Sequence, residues 1–142
     1  MDKLSGVMDT NILVAALKSR LGYAHRFVLA IGTDKFDIAL SVPLVLEYEA
    51  VAKRFIGQNG LSTQDVEMLI DYICAVGIQQ DIFYLWRPFL PDPKDDMVLE
   101  VAVAAGCRYI ITYNLKDFRG VERFGVRAVE PKEFLAIIGG ER

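Results

Sequence analysis

Asp92-Pro93-Lys94-Asp95-Asp96-Met97-Val98-Leu99-Glu100-Val101-Ala102-Val103-Ala104-Ala105-Gly106 runs into Cys107-Arg108-Tyr109-Ile110-Ile111-Thr112 and then into Tyr113-Asn114-Leu115-Lys116-Asp117-Phe118. Acidic residues around a proline open the stretch. The Ala/Val-rich segment that follows reads as a helix from Asp95 or Asp96, as N-cap candidates, to Gly106 as its C′ residue. Arg108 to Thr112 has the apolar, β-branched character of an interior strand. One helix–strand unit therefore carries carboxylates where its helix begins and further oxygen donors where its strand ends. A parallel sheet gathers such ends along one edge, which is how sites for hard cations are commonly built.

Working outward, residues 4–8 read as a buried strand ending at Asp9, with Thr10 and Asn11 as a turn and Ile12 opening a helix that Gly22 closes. Residues 23–31 read as a short helix and residues 36–40 as a second strand. Ser41 caps a third helix, with Pro43 in its first turn, that runs to about Phe55 and carries Glu47, Glu49, Lys53 and Arg54. Ser62-Thr63-Gln64-Asp65 has capping-box character and opens a helix to Val76. Residues 78–85 are expected as a third strand, residues 126–129 as a short one, and a last helix begins at Pro131. Strands alternating with helices, without repeats or linkers, predict a parallel α/β sandwich formed by a single domain over residues 1–142.

Composition sets the bounds. Of the 142 residues 53% are hydrophobic and 25% charged, enough to bury a core and too apolar for disorder. The net charge of −3 lacks the basic signature of a passive nucleic-acid-binding module, although an enzyme with an acidic site is compatible with it. No secretory signal and no membrane span is read from the chain, so a cytoplasmic protein is expected. Cys74 and Cys107 lack CxxC or metal spacing and are expected to be reduced core thiols.

The chemistry concentrates in the acids. If the first strand is central and the fourth lies beside it, Asp9 and the Asn114/Asp117 pair face one crevice. Asp95 and Asp96 would reach it from one side and Glu47 from its helix, with Arg54 two turns on along roughly the same face. Crowded carboxylates repel one another, and Mg²⁺ or Mn²⁺ is the usual remedy. Each residue also has a plainer role: Asp9, Asp95 and Asp96 as caps or dipole partners, Glu47 as a solvent-facing helix residue, Asn114 and Asp117 as turn residues. The joint arrangement favours the metal site. His25 has no paired nucleophile in view, and no phosphate-cradling glycine loop appears. Phe83, Tyr84, Trp86 and Phe89 are better read as packing than as a base-stacking platform.

Met8-Asp9-Thr10-Asn11-Ile12-Leu13, the helix from Ser41 through Glu47, Asp92-Pro93-Lys94-Asp95-Asp96 with its Ala-rich helix, and Ile111 through Phe118 together resemble a PIN domain. The nearest group is the VapC-like toxin components of toxin–antitoxin pairs. The resemblance spans nearly the whole chain and implies a three-layer α/β/α sandwich with a parallel sheet of order 3-2-1-4-5. It further implies a Mg²⁺- or Mn²⁺-dependent ribonuclease, usually a homodimer, held in check by a small antitoxin protein. By position, Asp9, Glu47 and Asp96 match the first three family acids, with Asp95 able to share or take the third place. The fourth falls to Asn114 or Asp117. Thr10, Asn11 and Thr112 match polar residues lining the site, and Lys94, Lys116, Arg54 and Arg119 are candidates to hold an RNA backbone. Two alternatives stay open: an inactive PIN-like module that only binds protein or RNA, and another Mg²⁺-dependent hydrolase. The latter usually wants a second Asp two residues after the first, where this chain has Asn11.

Overall fold

The computed structural model describes residues 3–82 and 89–139. Its elements run β1 (Leu4–Met8), α1 (Thr10–Lys18), α2 (Tyr23–Ala30), β2 (Phe36–Leu40), α3 (Val42–Lys53), α4 (Thr63–Val76), β3 (Ile78–Gln79), α5 (Pro93–Ala105), β4 (Tyr109–Ile111), β5 (Arg127–Val129) and α6 (Pro131–Ile138). Two 3-10 turns, Leu115–Phe118 and Val121–Phe124, lie between β4 and β5. The strands form one parallel sheet in the order β3-β2-β1-β4-β5, the three-layer α/β/α arrangement expected.

The central strands are buried where helices cover the sheet, which is why Val7 and Met8 of β1 and Ile110 and Ile111 of β4 are apolar. Gly6 lets β1 and β4 approach, since a Cβ there would stand 2.7 Å from the Ile111 Cδ1 atom and 3.2 Å from the Tyr109 carbonyl oxygen. An aromatic cluster joins four elements: Phe134 of α6 meets Phe27, Phe36 and Tyr109 edge-on at centroid distances of 5.6, 5.0 and 5.6 Å. Among the described residues no helix is long and apolar enough to cross a membrane.

Several boundaries differ from the sequence reading. Helix α1 starts at Thr10, so Thr10 and Asn11 are its first turn rather than a separate one, and Asp9 is its N-cap. It ends at Lys18, while Gly22 becomes the N-cap of α2. Helix α5 is capped by Asp92, not by Asp95 or Asp96, and Pro93 takes the first-turn place that suits a residue without an N–H. Gly106 ends α5 at a φ of 69°, as expected of a left-handed cap. Strand β3 is only Ile78–Gln79; residues 83–85 of the longer strand expected there, and the aromatic residues Phe83, Tyr84 and Trp86, lie outside the described residues. Phe89 packs edge-on against Phe124 at 5.1 Å, the packing role expected.

Candidate functional site

Because β1 and β4 are parallel neighbours in register from Gly6–Tyr109 to Met8–Ile111, the residues that follow them emerge side by side. Asp9 donates its backbone N–H to the Ile111 carbonyl at 2.9 Å, continuing the ladder one step past β1. Its carboxylate is buried and doubly bonded: Oδ1 accepts from the Thr10 N–H and Oδ2 from the Thr112 hydroxyl, both at 2.8 Å. Thr112, fully buried, also accepts from the Asn11 amide at 3.2 Å and from the Asn114 N–H at 2.9 Å. Asn11 Oδ1 in turn accepts from the Tyr113 N–H at 3.3 Å. The polar residues expected to line the site are thus a clamp that fixes Asp9 against the β4 exit, Thr10 through its backbone. Asp9 caps α1 and faces the site at once.

From the side comes the first turn of α5. Asp95 is half-buried and Asp96 is 1% exposed, and they do different things. Asp96 Oδ1 accepts from the Leu90 N–H at 2.8 Å, and its two oxygens lie 3.3 and 3.4 Å from the Phe89 nitrogen. That carboxylate holds the chain entering α5. Asp95 instead feels the other acids: burial first, then the charges of Asp9, Asp92, Asp117 and Asp96, push its carboxyl up to about 7. Burial likewise raises Asp9, against the bonds from Thr112 and Thr10, and the charges of Asp117 and Asp92 add to the rise. Asp117, exposed on the first 3-10 turn, therefore shares the field of Asp9 and Asp95. Asp92 does so too, a member the sequence reading missed although the acidic triplet displayed it. Its carboxylate accepts from the Lys94 N–H at 2.9 Å.

Glu47 stands at the margin. Its carboxylate lies 3.5 Å from Lys94 Nζ, beside a groove of about 420 Å³ lined by Pro43, Leu46, Pro93 and Met97. Next along α3, Tyr48 is fully buried and its hydroxyl donates to the Met8 carbonyl. Arg54, the exposed C-cap of α3, is joined to none of the acids by a described contact. Asn114 and Lys116 are exposed and line a shallow cavity of about 480 Å³ with Tyr113 and Asp117.

The donor set is all oxygen, hard and anionic, and so fits Mg²⁺ or Mn²⁺ in chemistry. In position the fit is incomplete, since among the described residues no three His, Cys, Asp or Glu side chains are grouped to hold an ion. The acids share an electric field more closely than they share a point in space. That field has a measurable consequence. The folded chain holds the Asp95 proton to about 7, whereas an unfolded aspartate releases it near ~3.9. The resulting stability is present below about 4 and is lost as pH rises through about 7. In EDTA, the thermal midpoint should fall over that interval, and the Asp95→Asn variant should fall less. Equal pH slopes for the two proteins would remove Asp95 from the repulsive cluster.

The family model for the PIN domain matches residues 6–116. Among the solved structures that match is the crystal structure of VapBC2 from Rickettsia felis bound to a DNA fragment from their promoter. It aligns with a TM-score of 0.60 at 13% identity, covering 89% of this chain and 98% of that one. No curated protein matches at a significant level.

Proposed function

This chain belongs to the PIN-domain family, and from that footing we propose that it is a Mg²⁺- or Mn²⁺-dependent endoribonuclease, the toxin component of a toxin–antitoxin pair. The observation that carries the proposal is the placing of acids along one sheet edge: Thr112 clamps Asp9 at the β4 exit, Asp95 lies in the first turn of α5 and Asp117 on the turn after β4, near enough for their charges to add to the burial that raises the Asp95 carboxyl. A divalent cation relieves such crowding at a pH where the carboxyls have lost their protons. In this proposal Asp9, Asp95 and Asp117 would hold the cation, with Glu47 completing the set from α3 and Asp92 adding charge; in the metal-free chain these carboxylates share a field and are not yet grouped around one point. Asp96 keeps to its bonds with the Phe89 and Leu90 N–H groups. A bound divalent cation supplies a water acidified enough to attack a phosphodiester and offsets charge on the phosphate. The chain does the rest. The Thr112–Asn11 clamp orients Asp9, and Lys94 and Lys116, both exposed, are placed to meet phosphate oxygens.

The chain is proposed to act as a single domain and a homodimer in the cytoplasm, and to be inhibited by a small antitoxin; the last follows the VapBC2 likeness, whose 13% identity itself speaks for the fold. Light scattering should report twice the 15.9 kDa chain mass. A mass near one chain at tens of micromolar would contradict the dimer. The rival reading, a binding module without activity, draws on the lack of a metal-holding group among the described residues. Mn²⁺ titration followed by paramagnetic resonance separates the two. Saturable binding that disappears in the Asp9→Asn/Asp95→Asn double variant supports the metal site. Binding that survives both changes would sink the ligand set.

A further inference from the structure

We infer that Tyr48 is a positioning residue of the acidic site, a rigid strut that fixes the strand end bearing Asp9 relative to the helix bearing Glu47. The inference rests on the proposed metal site for its consequence, but its geometry stands apart from it. Glu47 and Tyr48 are consecutive on α3, so their side chains leave the helix about 100° apart. The first reaches the groove beside Lys94, and the second enters the core, where Tyr48 is 0% exposed. There its hydroxyl donates to the carbonyl of Met8, the residue before Asp9. Ser41 caps the start of the same helix through its hydroxyl, 3.2 Å from the Leu44 N–H, a bond local to α3, whereas the Tyr48 hydroxyl reaches out of the helix to β1.

Phenylalanine would serve packing alone. A phenolic hydroxyl at full burial must find a partner or cost the protein its desolvation. The register pairs of β1 with β2 run from Leu4–Phe36 to Gly6–Ile38, and Met8 lies beyond them, near the edge where the acids gather. The Tyr48 bond thus falls at the point where the sheet gives way to the site. A tyrosine ring has two side-chain torsions and is packed on all sides, so the link is short of freedom. It ties two elements whose acids are far apart in sequence, Glu47 on one and Asp9 on the other. Thr112 orients the Asp9 carboxylate, and Tyr48 places the backbone beneath it.

The test compares Tyr48→Phe with Tyr72→Phe. Tyr72 supplies a control for loss of a tyrosine hydroxyl elsewhere: it is 47% exposed, and its hydroxyl donates at 2.8 Å to the Ile31 carbonyl, away from the acids. Both variants lose one hydroxyl-to-carbonyl bond, and both should lower the thermal midpoint. Only Tyr48→Phe should weaken Mn²⁺ binding, by about three- to tenfold, the range that one net hydrogen bond represents. Only Tyr48→Phe should also hasten hydrogen exchange at the Asp9 amide, which bonds the Ile111 carbonyl, in protein free of metal. Equal Mn²⁺ affinities for the Tyr48→Phe variant and wild type would overturn the proposal, as would equal weakening in both variants. If wild type binds no Mn²⁺, the nuclease reading fails. The exchange rate at Asp9 then decides the Tyr48 claim alone, and an unchanged rate ends it.

Discussion

Asp95→Asn should lower metal-dependent RNA cleavage by on the order of 10² or more while leaving the fold intact. The size follows from the loss of preorganised charge at a reacting phosphate, worth about 2.7–4 kcal/mol where single electrostatic donors have been removed. Stability should hold or improve, because the substitution removes a carboxyl that burial first, and then the charges of Asp9, Asp92, Asp117 and Asp96, push up to about 7. Cleavage rates measured alongside thermal midpoints would show the two effects parting. An Asp95→Asn protein that cleaves like wild type would return the third family position to Asp96.

Asp96→Ala should show the reverse balance, with instability foremost. Its carboxylate, 1% exposed, is the acceptor for the Leu90 N–H and reaches toward that of Phe89. Deleting it leaves the buried Leu90 N–H unpaired, at about 1–3 kcal/mol. For a chain of this length a loss of that order lowers the midpoint by roughly 3–10 °C. Asp96→Asn keeps one acceptor oxygen and should recover part of the stability. Calorimetry on the three proteins measures this directly, and an Asp96→Ala midpoint within a degree or so of wild type would deny the anchoring role.

The contrast between these neighbours also shows what the sequence could carry. The alternation of strands and helices and the edge where acids collect were legible because apolar strands, helix caps and glycine stops each leave a local signature, whereas the sheet order came from the resemblance to PIN domains. Asp9 was legible for the same reason, following an apolar run at a strand end. The division of labour within Asp92-Pro93-Lys94-Asp95-Asp96 was less plain. Three carboxylates crowd one helix start, and position alone gave the third acid to Asp96. For the helix cap, Pro93 held the signal: proline favours the first helical position, which makes the preceding Asp92 the cap and moves Asp95 and Asp96 inside the turn. Their different roles then depend on which faces Leu90 and which faces Asp9, a matter of tertiary packing. Thr10 and Asn11 read as a turn because both are weak helix formers, yet Asp9 caps a helix that begins at once. The Lys94–Glu47 pair and the Tyr48–Met8 bond join residues distant in sequence, and no local pattern announces them.

The most direct measurement is RNA cleavage by wild type and Asp9→Asn proteins purified side by side, with Mg²⁺, with Mn²⁺ and with EDTA. Asp9 is the acid that the Thr112 clamp fixes at the centre of the site. Wild type should cleave with either cation and stop in EDTA, and Asp9→Asn should be slower by on the order of 10² or more. Equal cleavage by the two proteins, or none by wild type with either cation, would contradict a nuclease built on these carboxylates.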